Sequence, residues 1–238
     1  MKFENAYFIT GTAYAGKSTL VKNLAERFNG IACRENYHEP LMDGLDKNEF
    51  PCLCYTRDLE DWHHFIRRSP QEYAAWIKGV SKECEILELK ILEEVCKEGK
   101  PVFVDTNISL ETLHRISDDK HVLLMLADPM ISVNLFFNRP DKEKQFLYQL
   151  MMEEQDPEAA LENFRQGLML INSQENYDEL TEFLNTLKSE NSSDSTITFE
   201  KLEKLQQDLG VSQEAEQDHY EALHEFLSVL KEENRPRR

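Results

Sequence analysis

The chain has 238 residues, enough for a large α/β domain with a buried core, and its 40% apolar and 30% charged content fits a folded protein rather than a disordered one. Against 27 basic side chains stand 45 acidic ones, a formal net charge of −18. A field of that sign repels nucleic acid and anionic lipid, which disfavours both as partners, and it obliges any phosphate site to carry its own positive charge.

No run of about 18 apolar residues occurs, so neither a membrane-spanning helix nor a secretory leader is expected. The five cysteines, Cys33, Cys52, Cys54, Cys84 and Cys96, contain no C-x-x-C pair and suit reduced thiols in a cytoplasmic protein. Cys52 and Cys54 followed by His63 and His64 match no usual zinc spacing.

Ala6 to Thr10 is a short run of β-formers ended by Gly11 and reads as a buried strand. Ser18 to Phe28 carries Leu20, Val21, Leu24 and Phe28 at helical spacing, with Asn29-Gly30 as its stop. Ile31 to Arg34 reads as a second strand. From 35 to 80 the pattern is broken by Pro40, Gly44, Pro51 and Pro70 and reads as irregular, rich in aromatic and basic residues. Ser81 to Glu98 is a helix with Cys84, Leu87, Ile91 and Val95 on one face and Gly99 after it. Val102 to Asp105 and His121 to Leu126 supply a third and a fourth strand. Helical patterns follow at Met130 to Phe137, Gln145 to Glu154 and Pro157 to Leu187. A fifth strand is expected at Thr196 to Phe199, then helices at Glu200 to Leu209 and about Gln213 to Glu233, ending in the basic tail 235–238. Strands alternating with helices predict a mainly parallel sheet covered on both faces, a three-layer α/β/α fold.

Gly11-Thr12-Ala13-Tyr14-Ala15-Gly16-Lys17-Ser18 satisfies G-x-x-x-x-G-K-[ST]. Chance supplies this pattern in roughly one chain in a hundred of this length, and here a strand precedes it and an amphipathic helix follows, the context the phosphate-binding loop requires. The glycines free the backbone so that successive N–H groups converge on one anion, and the helix start adds the positive end of its dipole. Lys17 is expected on the β- and γ-phosphates, Ser18 on Mg²⁺, and Thr19 on the α-phosphate.

Asp105 ends an apolar strand, at the sheet edge where α/β proteins bind ligands. It is expected to hold Mg²⁺, directly or through water, or else to cap the turn. After the second strand, Glu35, with Glu39 behind it, is placed to accept a proton from an acceptor hydroxyl, unless the loop is simply solvated. Tyr55, Arg57, Trp62, His63, His64, Phe65, Arg67 and Arg68 suit recognition of a flat or anionic small molecule, or equally the packing of a helical subdomain. Arg139, Lys142 and Lys144, with Arg165 as a further candidate, form a basic patch that can act as a lid over a transferring phosphoryl group, or else are an ordinary solvated charge run.

On the strand-loop-helix from Tyr7 to Phe28, and more loosely on Val102-Phe103-Val104-Asp105, Leu126-Ala127-Asp128-Pro129 and the basic stretch from Arg139, the chain resembles the P-loop kinases of nucleosides, nucleotides and shikimate-like metabolites. The resemblance implies a five-stranded parallel sheet in the order 2-3-1-4-5 with extra C-terminal helices. It also implies ATP and Mg²⁺ at Gly11 to Thr19, an acceptor region at 35–80 and a lid at 138–156, all within one domain over 1–238. Asp105 is followed by Thr106-Asn107 rather than a Gly-and-Arg pattern, and neither an Asp-Arg-Ser triplet nor an Asp-x-Asp after the second strand occurs, so the acceptor stays open. The guanine-specifying Asn-Lys-x-Asp is absent, which favours ATP. Two functions follow: an ATP-dependent phosphotransferase acting on a small metabolite, or a nucleotide-binding ATPase that acts as a regulatory interaction protein.

Overall fold

The computed structural model describes residues 2–138 and 141–190. They form two compact units, one drawn from residues 2–39, 85–127 and 178–190, the other from 40–84 and 128–177. The insert expected at 35–80 and the lid expected at 138–156 fall mostly in the second unit. The fifth strand at 196–199 and the C-terminal helix and tail at 213–238 lie outside the described residues.

The first unit is built on four parallel strands, β1 (Ala6–Gly11), β2 (Ile31–Cys33), β3 (Val102–Asp105) and β4 (Val122–Met125), in the order β2-β3-β1-β4. Strand β1 sits in the middle, with Ile9 opposite Asp105 and Gly11 opposite Met125. That register brings the end of β1, Asp105 and the residues after β4 to one carboxyl edge. Side chains alternate between the two faces. Tyr7, Ile9, Phe103 and Leu123 pack with Leu20, Val21 and Leu24 of helix α1 (Lys17–Phe28). Phe8, Val102, Val104 and Val122 pack on the other face with Leu92, Ile108 and Leu113. Both faces are covered, so the strands read as unbroken apolar runs rather than as alternating ones.

The second unit contains the short helices α2 (Pro51–Arg57) and α3 (His63–Ile66) and the first part of α4 (Pro70–Val95), whose later turns belong to the first unit. Helix α5 (Leu110–Ile116) lies in the first unit, whereas α6 (Pro129–Leu135), α7 (Lys142–Met152) and α8 (Pro157–Ile171) lie in the second and α9 (Gln174–Glu190) follows them. Phe65, Ile66, Tyr73, Val133, Met151, Phe164 and Leu168 form the second unit's core, with Tyr55, Trp62 and Trp76 against it.

Several boundaries differ from the sequence expectation, each for a physical reason. Helix α4 begins at Pro70 rather than Ser81, because proline at the first helical position gives up an N–H that has no partner there anyway. Ser69 caps it reciprocally with Glu72: the Ser69 N–H and hydroxyl donate to the Glu72 carboxylate, and Glu72 N–H donates back to Ser69 Oγ. Its buried face runs through Cys84, Leu87 and Leu92, while Ile91 is only half-buried. Residues 51–57 and 63–66 are helical, not irregular. Helix α5, capped by Ser109, had no expected counterpart. The single helical pattern from Pro157 is two helices, interrupted where Asn172 folds its amide back onto the Leu168 carbonyl.

Candidate functional site

The loop between β1 and α1 is shaped by backbone angles that most residues avoid. Gly11 has φ 122°, and a Cβ there would sit 1.9 Å from the Met125 carbonyl oxygen. Gly16 has φ 86° and opens α1 with no side chain capping its first turn. Tyr14 between them also has positive φ, 67°, a conformation that costs energy in a non-glycine residue. The loop is pinned to β4: Thr12 N–H donates to the Met125 carbonyl at 3.0 Å, and Thr12 Oγ1 accepts from the Ala127 N–H at 2.6 Å. Lys17 Nζ arches back over the loop and donates to the Thr12 carbonyl at 2.9 Å.

At the edge of this loop Ser18 Oγ donates to Asp105 Oδ2 at 2.5 Å. Asp105 is 5% exposed. Burial raises its carboxyl above the ordinary value; Lys17 and the Ser18 hydroxyl pull it back, while Glu35 and Glu88 push it up further. Hydroxyl and carboxylate oxygens are the donor set that Mg²⁺ prefers, and a desolvated carboxylate with incomplete positive compensation fits a divalent cation. Ser18 and Asp105 are therefore able to hold Mg²⁺. Among the described residues no group of three or more His, Cys, Asp or Glu side chains is arranged to hold a metal. Mg²⁺ commonly keeps several waters and adds phosphate oxygens to one or two carboxylates, so it does not require such a group.

No protein-family model matches this chain, and no curated protein or solved structure matches it either.

A buried polar cluster beside Asp105 escaped the sequence reading. Glu88 of α4, 2% exposed, accepts from Thr106 Oγ1 at 3.1 Å and pairs with His38 Nδ1 at 3.2 Å. Thr106 follows Asp105 and ties its own N–H to the Ile9 carbonyl at 3.1 Å. One carboxylate thus links the end of β3 to the segment after β2 that carries Glu35 and Glu39. The only sequence signal was a Glu one residue after Leu87, on a helix with many solvated acids. Glu35 and Glu39 are both exposed, and of the two it is Glu35 whose charge acts on Asp105. Burial pushes the nearby Cys33 thiol up to about 12, so it stays protonated and is no nucleophile at neutral pH.

The basic and aromatic candidates of the second unit are mostly engaged locally. Tyr55, Trp62 and Phe65 pack in its core. Arg67 and His63 both hold Glu154, at 3.0 Å and 2.7 Å, and Arg57 is paired with Asp58. His64 is exposed, 3.9 Å from Asp61. Of the expected lid residues, Arg139 lies outside the described residues. Lys142 is exposed in the first turn of α7. Lys144 is half-buried, 3.7 Å from Asp141 and 4.9 Å from the Phe136 ring centre. Arg165 contacts Met169 Sδ at 3.6 Å. Among the described residues no helix is long and apolar enough to cross a membrane.

Proposed function

We propose that the chain is an ATP- and Mg²⁺-dependent phosphotransferase that acts on a small metabolite. The observation that carries this reading is the pairing of a loop bent at Gly11, Tyr14 and Gly16, with Lys17 folded over it, and the Ser18–Asp105 oxygen pair at its rim. The reading extends the sheet by Thr196–Phe199 beside β4, giving the order 2-3-1-4-5, and takes the cytoplasm as the compartment.

In this proposal the amides from Gly11 to Thr19 grip the phosphates, and Lys17 turns from the Thr12 carbonyl onto the β- and γ-oxygens. Ser18 and Asp105 would hold Mg²⁺, which would supply positive charge to the phosphates. Glu35 orients the acceptor hydroxyl and takes its proton as the new P–O bond forms and the bond to ADP breaks. Arg139 serves as the lid cation that balances charge developing on the transferred group.

The test is calorimetry with Mg-ATP and Mg-GTP, followed by melting with Mg-ATP alone and with a panel of nucleosides, nucleotides and hydroxy acids. Ligands that bind only the folded state raise its melting temperature by mass action. The expected result is binding of ATP and a further shift with one class of acceptor. Slow ATP hydrolysis with no acceptor adding to the shift would replace the phosphotransferase with a nucleotide-gated interaction protein. No heat with either nucleotide would remove both.

A further inference from the structure

Three arginines of the second unit's first segment have different surroundings. Arg57 is closed off by a two-point fork on Asp58, at 2.7 Å and 2.9 Å, and by the Met42 and Leu45 carbonyls. Arg67 lies on Glu154. Among the described residues Arg68 has no carboxylate in ion-pair contact. Its guanidinium carbon sits 3.9 Å from the centre of the Tyr55 ring and 5.4 Å from those of Phe65 and Trp76. Its Nη1 is buried without a hydrogen-bond partner, while the residue as a whole is only half-buried. Glu72 influences it only through space, since that carboxylate is occupied by Ser69.

Ring faces satisfy the face of a guanidinium but not the N–H groups in its plane; Nη1 is shut off from solvent, so the edge that carries Nε and Nη2 is the one a ligand can meet. Leaving a partly desolvated cation unpaired is costly, and in a chain with 45 acidic residues a carboxylate partner would be easy to supply. The backbone of Arg68 is held by Asn163 Nδ2, which donates to its carbonyl at 2.7 Å, and the rings beside the guanidinium, Tyr55, Phe65 and Trp76, are themselves part of the core cluster. A planar fork fixed before binding is suited to one ligand chemistry, an oxyanion that accepts two parallel N–H bonds.

We propose that Arg68 is the recognition residue of an oxyanion site in the second unit, taking the carboxylate or phosphate group of a small molecule. The net charge of −18 repels extended polyanions, so the ligand is a metabolite with one or two charges rather than a nucleic acid or an acidic protein. Identifying this ligand with the phosphoryl acceptor, which would make the acceptor anionic, is the one step that rests on the phosphotransferase reading.

The experiment follows arginine Nε–Hε resonances in the full chain, with the Arg68 signal identified by its loss in Arg68→Lys. That variant keeps the positive charge but not the planar fork. Acetate and inorganic phosphate are titrated separately, which distinguishes a carboxylate from a phosphate ligand. The Arg68 signal is expected to move and saturate with one of them while those of Arg57 and Arg67 stay still, and the lysine variant to bind that anion about tenfold more weakly. An Arg68 signal that neither anion moves, or equal affinity in Arg68→Lys, overturns the site. Mg-ATP is titrated in parallel on the Gly11–Thr19 amides. A response at Arg68 with none at those amides would remove the phosphotransferase reading and leave the oxyanion site standing.

Discussion

Lys17 and Asp105 carry opposite burdens at the same loop. Lys17 Nζ is bonded to a main-chain carbonyl of its own loop, and on the phosphotransferase reading its removal takes an ammonium from the phosphate site. Lys17→Ala is expected to abolish turnover while melting close to the parent; activity near that of the parent would disprove the role. Asp105 behaves differently, because burial raises its carboxyl above the unfolded value. A carboxyl raised in the folded state binds its proton more tightly there. It favours folding below the unfolded pKa and loses that contribution as pH rises through the folded one. Above the unfolded pKa Asp105 therefore costs stability, and Asp105→Asn is expected to melt higher than the parent at pH 7, the difference shrinking as the pH falls. The same variant is expected to lose Mg²⁺-dependent nucleotide affinity. A variant that melts lower at pH 7 would show that the Ser18 and Lys17 contacts outweigh desolvation.

At the scale of elements, α4 supplies carboxylates to the starts of other helices. Helix α2 has Phe50 at its cap position and no side-chain cap of its own; instead Glu83, 8% exposed, accepts from Cys52 N–H at 3.0 Å and Leu53 N–H at 2.8 Å. Glu83→Ala leaves both amides without that acceptor and is expected to destabilise by about 1–3 kcal/mol in urea unfolding. Glu83→Gln, with a single acceptor oxygen, should fall between the two. Ser69→Ala, which opens the reciprocal cap at the start of α4, is expected to cost about 1 kcal/mol. An unchanged urea midpoint for either alanine variant would count against the corresponding cap. The legibility of these elements follows the same physics. Strands β1, β3 and β4 and helix α1 could be read because their apolar spacing is local and each ends in glycine or a turn. Helix α2 and the start of α4 could not, because Pro51 and Pro70 read as breakers unless the residues that satisfy their first turns, Glu83 for one and Ser69 with Glu72 for the other, are known to be near. Ser18 and Asp105 were legible as a motif and a strand end. The Glu88–His38–Thr106 cluster was not, since it joins residues 50 and 18 positions apart whose types are ordinary for helix and loop surfaces.

On the phosphotransferase reading, the charge of −18 sets how a nucleotide would arrive. ATP and the protein would repel one another at distances beyond contact, and Lys17 and the backbone amides of the loop would reverse the sign at short range. The two ranges respond differently to salt. The Debye length is about 30 Å at 0.01 M and about 10 Å at 0.1 M, so added salt first removes the long-range repulsion and leaves the short-range grip less affected. The association rate constant for Mg-ATP, followed by stopped-flow fluorescence of a ribose-labelled analogue, is therefore expected to rise with ionic strength over that interval. Basic nucleotide-binding surfaces show the opposite trend. Lys17→Ala should keep the same salt slope while dissociating faster, since the slope reports the distant charges and the dissociation rate reports the loop. An association rate that falls with salt in the parent protein would mean that a local positive field around the loop extends further than Lys17 alone provides.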